Sequence, residues 1–178
     1  IEELARLAFA DMRALLRELR SDPSPESALG LIEAPGVADV RQMGLASALQ
    51  RYALILAPET PTISLDFSGY RPLAAALEEP IYLICREALS NAVRHSGANR
   101  LDVTAAVSEE VVTMSIRDNG CGFDPPSDMR PAEDLAEQGI GLRAMSERAA
   151  ALAGVCEVRS QPGYGTTVCI RIPMTTLS

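Results

Sequence analysis

Arg100-Leu101-Asp102-Val103-Thr104-Ala105-Ala106-Val107 and Val111-Val112-Thr113-Met114-Ser115-Ile116-Arg117 read as two strands, and Ser108-Glu109-Glu110 between them is short enough to make the pair a hairpin. A hairpin at the centre of the chain excludes the strict strand–helix alternation of a parallel doubly wound sheet. Outward from it, a helical pattern precedes the first strand, and a helix followed by two more strands comes after the second. This order predicts an α+β fold: a two-layer sandwich with a mixed, largely antiparallel sheet and helices on one face.

The flanking elements follow from period and punctuation. Residues 2–20 have Leu4, Leu7, Ala8, Leu15 and Leu19 near helical spacing among Glu and Arg, and Ser21-Asp22-Pro23-Ser24-Pro25 stops that helix. Residues 21–40, with Pro23, Pro25, Pro35 and Gly36, read as a linker. A second helix is expected from about Asp39 to Ala57. Thr62–Phe67 alternates as a strand. A third helix covers about Ala74 to His95, with Pro80 predicting a kink or a late start near Glu79. A polar loop from Gly120 to about Gln138 leads to a helix at Gly141–Ala153, closed by Gly154. Strands at Val155–Ser160 and Thr166–Ile172 flank the turn Gln161-Pro162-Gly163-Tyr164-Gly165.

Composition bounds the function. The 178 residues suit one medium domain with an extra arm, and 47% hydrophobic against 22% charged residues suffices for a core. With 4% aromatics and no Trp, that core must be Leu, Ile, Val and Ala. A net charge of −8 without a dense Lys/Arg cluster argues against nucleic acid as a partner. Cys85, Cys121, Cys156 and Cys169 form no C-x-x-C pair, and a single His cannot complete a zinc site with them. They read as free thiols in a reducing, cytoplasmic setting, small core residues except for Cys121 in its glycine turn. No run approaches the roughly 20 apolar residues of a membrane span. The chain opens at Ile1 in mid-helix pattern, which suggests a piece of a longer protein whose membrane anchor, if it has one, lies elsewhere.

Three segments carry chemistry. On the helix Ile81–His95, the residues Ile81, Ile84, Cys85, Ala88, Leu89, Ala92 and Val93 form an apolar side. Glu87, Asn91, Arg94 and His95 share an adjoining strip about 100° wide. The amide oxygen of Asn91 suits Mg²⁺, Glu87 can hold a water, and Arg94 and His95 can reach phosphate oxygens. The plainer reading is a solvated strip with a His placed for the helix dipole. Next, Asp118-Asn119-Gly120-Cys121-Gly122-Phe123 sets a carboxylate at a strand end beside backbone that a ligand can approach closely. Asp118 there can accept from an exocyclic amine such as that of adenine. A simple tight turn would also use these residues, while a calcium loop would need more acids. Finally, Gly139-Ile140-Gly141-Leu142 opens a helix, where free N–H groups and the dipole favour phosphate. It is neither a dinucleotide fingerprint nor a Walker A loop, and a hinge would serve as well. The long loop Phe123–Gln138 has the make-up of a lid. Gly163-Tyr164-Gly165-Thr166-Thr167 is a third glycine turn, from which Thr166 can reach a base through its hydroxyl or a water.

In order, these motifs resemble the Bergerat-fold ATP-binding domain shared by sensor histidine kinases, type II topoisomerases, mismatch-repair ATPases and a heat-shock chaperone. Glu87–Ser96 looks like the family's N box, Asp118–Phe123 its first glycine box, Gly139–Leu142 its second, and Gly163–Thr166 its closing turn. The likeness covers about residues 40–175. Asn91–Ala98 and Gly141–Ala149 are similar to the sensor kinases that pair with LuxR/NarL-type response regulators. The resemblance implies ATP and Mg²⁺ as ligands. It implies that Asn91 chelates the metal, that Glu87 is catalytic through its water, and that Arg94 and His95 serve the phosphates. Asp118, with Gly120 and Gly122, would take the adenine, Gly139, Ile140, Gly141 and Leu142 would close on the phosphates, and Thr166 would line the base site. In such kinases a helical hairpin carries the accepting His and dimerises. Here the only His is His95, inside the N box, so residues 1–20 look like the end of that hairpin and 41–178 like the catalytic domain. A serine kinase of the anti-sigma type and a nucleotide-sensing module without chemistry use the same fold and remain the alternatives.

Overall fold

Alternation along the hairpin builds the sheet. Leu101, Val103 and Ala105 on β2 (Leu101–Val107) are buried, as are Val112, Met114 and Ile116 on β3 (Val111–Asp118), while the residues between them are more open. Successive side chains on a strand point to opposite faces, so the hairpin acquires one covered and one open face. The two strands run antiparallel, with Val103 opposite Ile116 and Ala105 opposite Met114.

The computed structural model describes residues 34–56, 62–124 and 140–174. In it β1 (Ile63–Gly69), β4 (Val155–Gln161) and β5 (Gly165–Pro173) join the hairpin in the order β1-β2-β3-β5-β4. Only β1 and β2 run parallel; the other pairs are antiparallel. Parallel neighbours need a crossover, and helix α2 (Ala75–His95) supplies it. Helix α1 (Val37–Leu56) packs on α2, and α3 (Ile140–Ala150) packs on α2 and β4. Leu45, Leu49, Ile81, Ile84, Leu89 and Met145 from these helices are fully buried with Ile170 and Ile172 of β5. The fold is α+β with a mixed, mostly antiparallel sheet, as the element order predicts.

Several boundaries differ from expectation. α1 begins at Val37, inside the stretch read as linker, because Gly36 and Asp39 start the turn: Asp39 Oδ2 accepts from Gly36 N–H at 2.8 Å. α2 begins at Ala75, so Pro80 does not delay it. Along its apolar side, Val93 is only half-buried, whereas Leu77 and Tyr82 are buried in addition to the expected set. α3 ends at Ala150, and it is Ala153, at φ 52°, rather than Gly154 that takes the left-handed position. Gly154 is needed for space, since a Cβ there would come closer than 3.0 Å to Arg171 O. The helix expected over 2–20 and most of the lid loop lie outside the described residues.

One feature of α1 is not visible in its sequence pattern. Gly44, at φ 81° and ψ 162°, breaks it into two helices. The second half needs an acceptor for its first N–H groups. Glu78, on α2 and only 4% exposed, provides one: its Oε2 accepts from Leu45 N–H at 2.9 Å. Its Oε1 accepts from the Tyr70 hydroxyl at 2.6 Å and from Leu73 N–H at 2.9 Å. Burial, and then the bond to Glu78, pushes the Tyr70 hydroxyl well above its ordinary range. One buried carboxylate therefore joins α1, the segment after β1 and the first turn of α2.

Candidate nucleotide site

The end of α2, the end of β3 and the start of α3 meet around a cavity of about 620 Å³. The strip read from α2 opens into it: Glu87, Asn91, Arg94 and His95 all line it. Glu87 and Asn91 are half-buried, whereas Arg94 and His95 are exposed toward the end of the helix. Asp118, the last residue of β3, lines it at 6% exposure. Its Oδ1 accepts from Gly120 N–H at 2.8 Å, which fixes the carboxylate. Its Oδ2 has no hydrogen-bond partner among the described residues. Gly141 and Leu142, at the first turn of α3, and Thr166 complete the set.

Gly141 lies against the strip itself. A Cβ at that position would fall closer than 3.0 Å to the Glu87 carboxylate and 3.3 Å from Asn91 Nδ2. The second glycine segment is thus packed directly on the acid and amide of α2. Ile140 opens α3. Gly139 lies outside the described residues. Gly122 lines the cavity, but Gly120 does not: its Cα sits against Ser96, where a Cβ would overlap the Ser96 carbonyl.

Main-chain ties hold the glycine turns. Cys121 N–H donates to Ser96 O at 2.7 Å, joining the first turn to the end of α2. Gly163 N–H donates to Cys121 O at 2.6 Å, joining it to the β4–β5 turn. Gly122 (φ 60°) and Gly165 (φ 83°) occupy the left-handed region, where side chains are strained. A Cβ on Gly122 would overlap Gln161 O, and one on Gly165 would overlap Asp118 O.

Sequence reading missed part of the lining. Ala88, Ala92, Ile116, Phe123, Met145 and Val168 give the cavity an apolar wall. They look like ordinary core positions, and only the meeting of four elements turns them to one space. Ser160 was also missed. Its Oγ accepts from Phe123 N–H at 2.9 Å and lies 3.1 Å from Gly165 O and 3.0 Å from Thr166 Oγ1. All four cysteines are free thiols: Cys85 and Cys156 are buried, Cys169 is intermediate and Cys121 is exposed on the cavity wall. Burial raises the Cys85 thiol far above its ordinary value, and burial, then Cys169 and Glu157, raises that of Cys156 to about 12.

An apolar cavity lined by a fixed carboxylate, a polar strip and the first turn of a helix has the chemistry of a site for a base and its phosphates. Such a site on this sheet defines a class, and the chain belongs to it: the Histidine kinase-, DNA gyrase B-, and HSP90-like ATPase family, whose model matches residues 76–176. Among curated proteins it is similar to the signal transduction histidine-protein kinase/phosphatase DegS of Bacillus subtilis, 28% identical over 137 residues, covering 74% of this chain and 34% of that protein. It is also similar to the sensor histidine kinase NarS of Mycobacterium tuberculosis, 31% identical over 136 residues, covering 76% and 31%. The chain thus spans about a third of the length of these relatives. In fold it matches the histidine kinase domain of a blue-light activated histidine kinase from Erythrobacter litoralis, with a TM-score of 0.60 and 21% identity, covering 74% of this chain and 61% of that one.

Proposed function

We propose that the chain is the ATP-binding catalytic domain of a two-component sensor histidine kinase. It passes the γ-phosphoryl group of ATP to a His on a helical hairpin of the full-length protein, for relay to an Asp of a LuxR/NarL-type response regulator. The observation that carries this is the convergence of Glu87, Asn91, Asp118 and Gly141 on one cavity. His95, the chain's single His, belongs to that wall, so the acceptor stands on another segment. Residues 1–20 fit the end of the hairpin and the stretch up to Val37 a linker. The full-length kinase is then a homodimer with this domain in the cytoplasm, whether or not a membrane anchor is present elsewhere. Among the described residues no helix is long and apolar enough to cross a membrane.

The residues fit Mg²⁺ carried by the nucleotide rather than a resident metal. No three His, Cys, Asp or Glu gather to hold a metal among the described residues. An amide oxygen at Asn91 beside the Glu87 carboxylate suits an ion that keeps waters and takes most of its ligands from phosphates. When bound, the ion supplies neutralisation of phosphate charge. The chain's own groups do the rest. Asp118 accepts from the exocyclic amine of the base, Ile116, Met145 and Val168 exclude water around the ring, and the first turn of α3 offers N–H groups to the phosphates. Glu87 holds a water by its carboxylate, and Arg94 meets phosphate charge at the mouth.

The test mixes this chain with a fragment carrying the hairpin, Mg²⁺ and γ-labelled ATP. Acid-labile label on a His of the hairpin is the expected product. Transfer by an Asn91→Asp protein at the wild-type rate would refute the assignment of that residue, and acid-stable label alone would refute histidine phosphorylation.

A further inference from the structure

Ser160 stands on the edge strand β4, outside the cavity lining, yet its hydroxyl touches both glycine turns. The three contacts are Phe123 N–H at 2.9 Å, Gly165 O at 3.1 Å and Thr166 Oγ1 at 3.0 Å. A serine hydroxyl has one proton and two lone pairs. The Phe123 N–H takes one lone pair. A carbonyl oxygen carries no proton, so the proton between Ser160 and Gly165 O is that of Ser160. Only one lone pair remains for Thr166, and Thr166 must donate to it.

We infer that Ser160 is a positioning residue that holds the Thr166 proton away from the cavity and makes the Thr166 oxygen an obligate acceptor. Thr166 lines the cavity, so what it offers a ligand is lone pairs. The Asp118 carboxylate, whose Oδ2 has no partner among the described residues, offers lone pairs as well. These two acceptors, Asp118 and Thr166, favour a ligand that donates to them. At position 6 a 6-amino purine donates, whereas a 6-oxo purine presents an acceptor to an acceptor there and carries its donor on N1. The polarity of Thr166, set from outside the cavity by Ser160, is therefore a second determinant of base choice beside Asp118. This rests on the nucleotide reading of the site.

The test compares the affinities of the 178-residue chain for ATP and for inosine triphosphate, which replaces the 6-amino group by an oxygen and carries a proton on N1, both with Mg²⁺ and by calorimetry. Wild type prefers ATP. In Ser160→Ala the Thr166 hydroxyl is free to donate to the 6-oxo group. The ATP-to-inosine-triphosphate ratio then falls about three- to tenfold, the range of one net hydrogen bond. Ser160→Thr keeps the wild-type ratio. In a Thr166→Val background, Ser160→Ala leaves the ratio where it was. A merely structural role lowers both affinities in proportion, and an unchanged ratio in Ser160→Ala overturns the inference. Should that variant fail to fold, Ser160→Cys, whose sulfur is a weaker acceptor for the Thr166 proton, is read in the same way. A wild-type chain that binds both nucleotides equally overturns the inference and leaves the ATP site standing. One that binds neither overturns the proposed function itself.

Discussion

Replacing Glu78 by Gln tests the junction of α1 and α2 without changing its volume. The carboxylate accepts three hydrogen bonds, two on Oε1 and one on Oε2. An amide keeps an oxygen for Tyr70 and Leu73 but turns its NH₂ toward Leu45 N–H, so two donors face each other. A buried N–H left without an acceptor costs about 1–3 kcal/mol, and Leu45 is 1% exposed, so solvent does not relieve it. We expect a loss of about 2 kcal/mol for Glu78→Gln. Glu78→Ala strips the acceptor from both backbone N–H groups, and about 2–6 kcal/mol follows from the same per-group cost. Against a typical domain stability of about 5–15 kcal/mol, the Ala variant stands near unfolding and the Gln variant remains measurable. Urea unfolding followed by circular dichroism reads the effect as a lower midpoint at an unchanged slope. Amide exchange at Leu45 should accelerate in both variants. A Gln variant within about 0.5 kcal/mol of wild type, the usual range for surface changes, would show the reasoning to be wrong.

Three further outcomes are expected. Gly163→Ala, at φ 80° with open space around the new Cβ, should cost only about 1–2 kcal/mol for the left-handed backbone, and Gly165→Ala, whose Cβ overlaps Asp118 O, should cost more than that and weaken ATP binding. Equal melting temperatures for the two variants would contradict the overlap. A thiol-reactive probe should label Cys121 first and leave Cys85 and Cys156 unmodified in the folded chain, with saturating ATP slowing the reaction at Cys121; mass spectrometry of the labelled peptides decides it. Stability should fall as the pH rises above the ordinary thiol value of 9.0: the folded chain keeps the protons of Cys85 and Cys156 while the unfolded chain releases them, and for Cys156 the loss continues toward pH 12. A Cys156→Ala protein should show a shallower alkaline decline in urea midpoint, and an identical decline would dismiss the thiol as its source.

What was legible in the sequence is what local pattern encodes. The hairpin, the strip Glu87–His95 and the three glycine turns depend on period and on residues that a turn demands, and these stand close together in the chain. Glu78 was not legible because it looks like an ordinary acid in a helix's first turn. Its burial depends on Leu45, 33 residues away, and on a break at Gly44 that helix periodicity tolerates without comment. Ser160 was missed for the same reason: its partner Phe123 is 37 residues distant, and strand alternation alone assigns Ser160 no task. The sequence puts the close of α3 at Gly154, because glycine commonly ends a helix. Packing on Arg171 claims the glycine instead, and Ala153 takes the strained backbone. Of the site residues, Gly120 was read onto the lining and stands off it, because a glycine needed for space against Ser96 looks the same as one needed for a ligand.

The ties among Gly120, Gly122 and Gly165 set main chain against main chain, with no room for a Cβ at any of the three. That side of the site is closed to gradual adjustment, since any single replacement there must move backbone before it can alter a contact. Inheritance of altered ligand preference must then run through the apolar lining, where Ala88, Ala92, Met145 and Val168 meet the cavity with side chains that can change in size. A chain built this way can diverge over most of its length and still present the same anchored edge to whatever ligand its softer wall has come to fit.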